Sequence, residues 1–400
     1  MVSSVYIAKN VYGGDGIGRL GDGRVVFVGG AFAGENVKAE IFEEKSSYVK
    51  ARLVEVIDPS PDRLDRTLIA DQLPDGPVPG MVYAGLSYNG ECAAKQQQLA
   101  EFFERRHIPI PEIVSCSNQA ILNYRNKVVY HFAKQNGRWV VGYRRERSHE
   151  IVDVERDPLA LPQINAKLPE IRRQIISLLT QGAYNVRKSV EKEGCVTIRY
   201  SPRSSVQWYI GKINEPFVMQ EVTCGKVFEV PSDGFYQVNP EIGERLVKCV
   251  VDEFVKSPTE MIVDLYCGVG VFGLSCPCRH LIGIESGRNA VKFAQRNAAA
   301  QRHPDARFLC GEVSHMLKKA NISSTATVII DPPRGGMEKN VPATIVRANP
   351  QRIIYISCDP ATMMRDLQAF IPRYHVGALY WFNMFPRTAR FETVVVLERI

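Results

Sequence analysis

Apolar and polar residues alternate in short β-branched runs over residues 5–8, 24–28, 36–42 and 48–57, with glycine-rich segments between them. This period-two pattern predicts a small β-barrel over residues 1–58, and Gly21-Asp22-Gly23 is a candidate hairpin turn. Pro59 and Pro61 then stop the strand pattern. From 59 to 225 the period is mixed. Beyond a loop carrying Pro74, Pro77 and Pro79, leucine and phenylalanine fall at helical spacing in 95–106 and again in 164–179. The runs 128–132, 139–143 and 151–154 between them predict an antiparallel sheet. From 226 to 400, short apolar runs at 261–266, 281–285, 328–331 and 353–357 alternate with amphipathic stretches, the pattern of βα units on a parallel sheet. Runs at 377–382 and 393–398 close the chain as a hairpin. The expected fold is therefore multidomain: an OB-like β-barrel, a mixed α+β central domain of which part of 86–115 packs on the last domain, and a C-terminal Rossmann-like α/β domain.

Composition adds limits rather than detail. Of 400 residues, 45% are hydrophobic and 23% charged, which argues against disorder. No apolar run reaches the length of a membrane span, and the N-terminus has no charged segment leading into an apolar one, so a cytoplasmic protein is expected. The net charge of +7 is compatible with a polyanionic partner. Basic residues gather at Arg144, Arg145 and Arg147, at Arg172 and Arg173, and at Arg187 and Lys188, although each group also reads as an ordinary solvated surface. The ten cysteines lack metal-ligand spacing and are read as reduced thiols. Even Cys276-Pro277-Cys278, with His280 nearby, has no second pair and is assigned a structural role. No metal site is expected from these residues.

The segment from Ile262 to Gly270 runs from an apolar strand into a glycine turn, where open α/β sheets hold nucleotides. Gly268, Gly270 and Gly273 spell the dinucleotide pattern, but two acids favour S-adenosylmethionine. Asp264 ends the strand before the glycines, where it suits the ammonium of a methionine moiety. Glu285 ends the next strand, closer than the dinucleotide pattern requires, and suits a ribose diol. Glu312 reads either as a neighbour of the adenine edge or as a surface glutamate.

Three further motifs fall at strand ends. Asp331-Pro332-Pro333-Arg334-Gly335-Gly336 is a rigid extended segment able to present polar groups to a planar substrate. Ser357-Cys358-Asp359-Pro360 places a thiol before a helix expected at 361–370, whose N-terminus favours a thiolate. A buried inert thiol is nevertheless the commoner fate of a lone cysteine. The segment from Phe385 to Glu392 joins the last two strands and brings a carboxyl group to the same edge. A thiol and a carboxylate together supply what carbon methylation of a pyrimidine needs.

With these motifs in order, the chain resembles the S-adenosylmethionine-dependent RNA methyltransferases that make 5-methyluridine, in the branch with an N-terminal TRAM domain. Gly18 to Gly34 with Glu35 and Val37 resembles the TRAM barrel, and Asp233-Gly234-Phe235-Tyr236-Gln237-Val238-Asn239 resembles the family's G-F-x-Q-x-N signature. The resemblance implies a class I methyltransferase domain, Cys358 as nucleophile and Glu392 as proton acceptor. It further implies Gln237, Tyr266, Glu285 and Asp331 around the cofactor and target base, to which the reading of the residues adds Asp264, Gly268, Gly270 and Glu312 as candidates on the cofactor side and Phe235 and Arg334 on the base side. Uracil carbon 5 is a poor nucleophile, and thiolate addition at carbon 6 turns the ring into an enolate that can take a methyl group. The base must leave its stack, so looped RNA is favoured over duplex, with Phe235 or Tyr236 stacking on it.

The branch points first to 23S rRNA, with tRNA as the alternative and a monomer as the expected state. Two rivals remain: methylation at another atom with Cys358 structural, and an inactive RNA-binding or assembly factor. Many relatives hold an iron-sulfur cluster with four cysteines. Here Met81 and Asp157 stand where cysteines are expected, so no cluster is predicted. Arg390 replaces the usual histidine two positions before the final glutamate.

Overall fold

The computed structural model describes residues 1–400 except 118–119, 146–147, 182–192 and 214–215. Five strands open the chain: β1 (Val2–Asn10), β2 (Gly16–Arg19), β3 (Val25–Gly29), β4 (Asn36–Glu44) and β5 (Tyr48–Asp58). They form a closed barrel in the order β1-β2-β3-β5-β4 around Val5, Ile7, Val26, Val28, Val37 and Val49. The Gly21-Asp22-Gly23 turn links β2 to β3 as expected, but β2 itself had read as a turn because of its glycines. Those glycines serve close approach rather than turning. A Cβ on Gly16 would lie 2.7 Å from the carbonyl oxygen of Ala31.

The middle of the chain contains α1 (Arg66–Gln72), α2 (Tyr88–Glu104), β6 (Ile113–Cys116), β7 (Lys127–Gln135), β8 (Arg138–Arg144), β9 (Ile151–Asp153), α3 (Pro162–Thr180), β10 (Glu193–Ser201) and β11 (Ser205–Ile210). The antiparallel sheet has the order β11-β10-β7-β8-β9, and α3 buries Ile164, Leu168, Ile171 and Ile175 against it. Met81 and Asp157 are both buried in this part of the molecule. The Asp157 carboxylate accepts hydrogen bonds from the hydroxyls of Tyr130 (2.9 Å) and Tyr143 (2.8 Å). A thioether and a carboxylate already engaged in this way do not fit the thiolate donors of an iron-sulfur cluster.

The rest comprises β12 (Val218–Thr223), β13 (Lys226–Pro231), α4 (Pro240–Lys256), β14 (Met261–Leu265), α5 (Val271–Ser275), β15 (His280–Glu285), α6 (Arg288–Ala300), β16 (Ala306–Cys310), α7 (Val313–Met316), β17 (Thr327–Ile330), α8 (Val341–Ala348), β18 (Arg352–Ser357), α9 (Pro360–Leu367), β19 (Tyr374–Phe382) and β20 (Glu392–Arg399). The eight-stranded sheet has the order β16-β15-β14-β17-β18-β20-β19-β6. Its first five strands are parallel, and the inner ones, β14, β17 and β18, are buried along nearly their whole length. Val263, Val328 and Ile353 face one core, whereas Ile262, Ile329 and Ile354 face the other.

Two expectations are corrected here. The boundary expected at 226 falls in the turn between β12 and β13, whose Met219, Phe228 and Val230 share the second of these cores, so the hairpin is not divided. The helix expected over 95–106 begins earlier, at Tyr88, and ends at Glu104. Lys95 is fully buried on α2 and pairs with Glu91 at 2.7 Å, while Leu99 and Phe103 enter the first core beside β14 and β17. Lys95 also donates to the Asn383 side chain (2.8 Å), and Glu91 accepts from the Arg387 amide (3.0 Å). This buried pair thereby fixes the loop between β19 and β20. Strand β6 adds to the same sheet by pairing in parallel with β19. Among the described residues, no helix is long and apolar enough to cross a membrane.

Candidate active site

Register brings the chemistry to one edge of the sheet. In the antiparallel pair β18–β20, Ser357 lies opposite Thr393, so the next position outward on each strand is Cys358 and Glu392. In the parallel ladders Leu265 lies opposite Ile330 and Ile284, which places Tyr266, Asp331 and Glu285 next at the same edge. Residues nearly 130 apart in sequence thus meet because strand ends meet.

The cofactor side begins at Tyr266. The strand stops one residue earlier than expected, and Tyr266 adopts a left-handed backbone with φ of 61°. Its hydroxyl bonds the Glu338 carboxylate. Gly268 and Gly270 follow with φ of 54° and 85°, conformations that glycine adopts without strain. Glu285 accepts hydrogen bonds from the amides of Gly268 (3.1 Å) and Gly287 (2.6 Å), so it fixes the glycine turn from the neighbouring strand. A pocket beside this turn is lined by Phe235, Gln237, Tyr266, Gly268 and Asp331, with Glu221 and Thr223 from β12. Glu312 is not brought there. It starts α7 with its side chain 69% exposed, and its carboxylate lies 3.6 Å from His315.

Asp264 is 1% exposed; one carboxylate oxygen accepts from the Gly273 amide at 2.9 Å, and the other has no partner among the described residues. Burial pushes its pKa up to about 7. An unpartnered buried carboxylate oxygen beside the glycine turn fits the ammonium group of S-adenosylmethionine. A folded-state pKa above the usual 3.8 means that the stabilising contribution is present below pH 4 and is lost as pH rises to about 7. Asp264→Asn should therefore melt above the wild type at pH 8, by on the order of 4 kcal/mol at most, and match it near pH 4. The same variant should bind S-adenosylmethionine more weakly. Calorimetric melts at the two pH values and a cofactor titration check both effects.

The signature segment before α4 is held from beneath. Arg199, 2% exposed on β10, donates to the carbonyl oxygens of Pro231 (3.2 Å), Ser232 (3.1 Å) and Gly234 (3.2 Å), and pairs with Glu221. Asn239 is the N-cap of α4, accepting from the Ile242 amide at 3.4 Å, and it also donates to the Met384 carbonyl at 3.1 Å. Tyr236 is buried with its hydroxyl against Thr223, whereas Phe235 is 69% exposed. Of the two candidate stacking rings, only Phe235 is free to present its face.

Around Cys358 one expectation fails. The start of α9 does not favour a thiolate, because the amides of Ala361 and Thr362 are already taken by the Asp359 carboxylate at 3.0 and 3.2 Å. Burial and then the Glu392 charge push the Cys358 thiol up to about 12, with Arg334 opposing them. Glu392 is likewise pushed well up by burial and Asp331, again opposed by Arg334. Burial raises Asp331 to about 7. Cys358 and Glu392 therefore share Arg334 as the neighbouring cation.

Outside this cluster opens a cleft of ≈ 770 Å³ lined by Tyr12, Arg125, Lys127, Arg144, Phe235, Arg334 and Arg390. Burial pushes Lys127 down to about 8. Other basic residues do not contribute: Arg172 pairs with Asp153 and bonds two carbonyls, and Arg145 pairs with Glu150. Arg147, Arg187 and Lys188 lie outside the described residues. Cys276 is buried, and Cys278 lies 3.8 Å from His303. Among the described residues no set of three potential ligands is close enough to hold a metal ion.

Residues missed in the sequence include Glu221, Thr223, Lys127, Arg199 and Tyr12. The alternation over β12 was readable, but its inward positions include polar Glu221 and Thr223, which obscured it.

Comparison with known proteins agrees with this geometry. Residues 180–400 match the family model described as tRNA (Uracil-5-)-methyltransferase, and residues 5–54 match the TRAM domain. A Thermotoga maritima protein named as an uncharacterized RNA methyltransferase is 27% identical over 450 residues, covering 100% of this chain and 99% of its own. One from Streptomyces coelicolor, named likewise, is 29% identical over 441 residues, covering 98% and 92%. The crystal structure of Pyrococcus abyssi tRNA (uracil-54, C5)-methyltransferase in complex with S-adenosyl-L-homocysteine covers 99% of this chain and 100% of that one, with a TM-score of 0.73 at 20% identity. That likeness extends the shared fold over the whole chain, class I methyltransferase domain included. The chain belongs to the tRNA (uracil-5-)-methyltransferase family of S-adenosylmethionine-dependent RNA methyltransferases and carries a TRAM domain at its N-terminal end.

Proposed function

We propose that the protein methylates carbon 5 of a uridine in 23S rRNA, with Cys358 as nucleophile and Glu392 as general base. The observation that carries this reading is the strand register setting Cys358 opposite Glu392 at the edge that also bears Tyr266, Asp331 and Glu285. S-adenosylmethionine, when bound, supplies a methyl group on a sulfonium sulfur, electrophilic enough for an enolate carbon. Gln237, Tyr266, Gly268, Gly270, Glu285 and Asp264 would hold it, and Asp331 lines the same pocket. Glu312 has no assigned contact in this arrangement.

RNA enters through the cleft lined by Arg125, Lys127, Arg144 and Arg390, whose charges suit phosphates. Phe235 stacks on the target base after it leaves its neighbours. Cys358 then adds through sulfur to carbon 6, its proton passing to solvent as the bond forms, and the ring electrons move toward carbon 5. Arg334 lowers the cost of the negative charge that passes through the thiol. After methylation Glu392 takes the proton from carbon 5, the double bond returns, and the carbon–sulfur bond breaks to free Cys358. A buried carboxylate beside Asp331 is a strong base once ionised, which this step requires.

Transfer RNA is the second reading, favoured by the family description and by the activity named for the Pyrococcus abyssi protein. Quantifying 5-methyluridine in purified 23S rRNA and tRNA from cells with and without the gene separates the two. Loss from 23S rRNA alone is the expected result. Loss from tRNA alone supports the second reading, and unchanged 5-methyluridine in both contradicts the proposal.

A further inference from the structure

We propose that Tyr12, supplied by the N-terminal barrel, is a positioning residue for methyl transfer: together with Arg390 it clamps the two loops that carry Cys358 and Glu392. The inference rests on the roles assigned above to those two residues.

Tyr12 lies just beyond the end of β1, in the barrel loop joining β1 to β2, and its side chain reaches across to the catalytic domain. Its ring sits edge-on to Phe102 of α2 and to Phe391, the residue before Glu392, with both centroid distances 5.8 Å. The Arg390 guanidinium lies over the same ring at 5.5 Å. At the hydroxyl, Arg390 Nη1 donates to the Tyr12 oxygen at 2.7 Å and to Asp359 Oδ2 at 3.0 Å. The hydroxyl proton is left to face the Cys358 carbonyl at 3.4 Å and Asp359 Oδ2 at 3.5 Å.

These contacts complete a frame around the thiol. The Ser357 carbonyl accepts from the Thr393 hydroxyl at 3.2 Å, the Cys358 carbonyl faces Tyr12, and Asp359 is held by Arg390 on one oxygen while the other caps α9. Every backbone unit flanking the nucleophile is thereby tied to the loop or strand that carries Glu392, directly or through Tyr12. The barrel end of the clamp is fixed as well, since Lys9 pairs with Glu101 at 2.7 Å and Gln98 donates to the Asn10 carbonyl at 3.2 Å. Burial raises the Tyr12 phenol to about 12, so the hydroxyl keeps its proton.

A thiol adding to a ring carbon needs a near-attack geometry, and small displacements of the reacting groups are costly. A barrel that only gripped RNA would not need a side chain against the nucleophile's own carbonyl. Tyr12 and Arg390 also line the RNA cleft with Phe235 and Arg334, so a strand lying in the cleft contacts the clamp itself.

The test uses the full-length protein, labelled S-adenosylmethionine and total RNA from a strain lacking the gene. Tyr12→Phe keeps the ring contacts and removes only the hydroxyl. Its kcat should fall by about tenfold, with the KM for S-adenosylmethionine within about twofold of wild type. Adduct formation on 5-fluorouridine RNA should slow by the same factor. Adding Tyr12→Phe to Arg390→Ala should cost less than about twofold beyond Arg390→Ala alone, because both act through one clamp. A wild-type kcat in Tyr12→Phe overturns the proposal, as does a loss that appears only in the KM for RNA or only as a lower melting temperature. Failure of the Cys358 reading looks different: the wild type forms no adduct, while the kcat of Tyr12→Phe still judges the clamp.

Discussion

Cys358→Ala should lower methyl transfer by at least about 10⁴-fold, because covalent activation of carbon 5 is lost. The six residues of β18 preceding Cys358 are all buried, and Asp359 caps α9 independently of the thiol, so the variant should fold and bind S-adenosylmethionine as the wild type does. Labelled methyl incorporation beside a cofactor titration and a thermal melt measures all three properties. The raised pKa sharpens the expectation. A thiol pushed up to about 12 is a poor nucleophile in the free protein, so its reactivity depends on the assembled site, with Arg334 as the favourable charge. Full turnover by Cys358→Ala would assign the thiol to structure and the reaction to another atom of the base.

Glu392→Gln is expected to separate two steps that the wild type runs together. Glutamine preserves the shape at a position that is 5% exposed but cannot accept the carbon 5 proton. Turnover should fall by about 10²- to 10⁴-fold, the usual range for loss of general acid–base catalysis. Unlike Cys358→Ala, this variant should accumulate a covalent protein–RNA species on ordinary RNA, already methylated and unable to eliminate. Denaturing electrophoresis with label in the methyl group detects it as a slowly migrating band. A variant that loses turnover without that species would place the role of Glu392 before methylation.

Much of this arrangement was legible because it depends on local pattern. Four of the five barrel strands, three of the five strands of the central sheet and the βα units followed from periodicity, and strand ends marked the glycine turn, Asp331, Cys358 and Glu392. What escaped was set by tertiary packing. Lys95 reads as a surface lysine on a helix, yet it is fully buried because Glu91 and Asn383 satisfy its charge. Strand β2 was hidden by glycines needed for close approach to neighbouring backbone. The thiolate expected at the start of α9 was prevented by Asp359, whose own carboxylate takes the amides that would have stabilised it. Tyr12 carries no sequence signal for catalysis, since its partners at 358, 359 and 390 are some 350 residues or more away and reach it only through docking of the barrel. Arg390 likewise carries no sequence signal for this role, since Tyr12 and Asp359 reach it only in the folded chain.

The proposed reaction depends on Cys358 bonding to carbon 6 of a uridine. The most direct measurement is peptide mass spectrometry of the wild-type protein after incubation with S-adenosylmethionine and 5-fluorouridine RNA, in which fluorine replaces the proton that Glu392 would remove. The expected product is a peptide containing Cys358 cross-linked to a methylated fluoropyrimidine nucleotide. A cross-link on a different residue, or none from a preparation that methylates ordinary RNA at full rate, would contradict it.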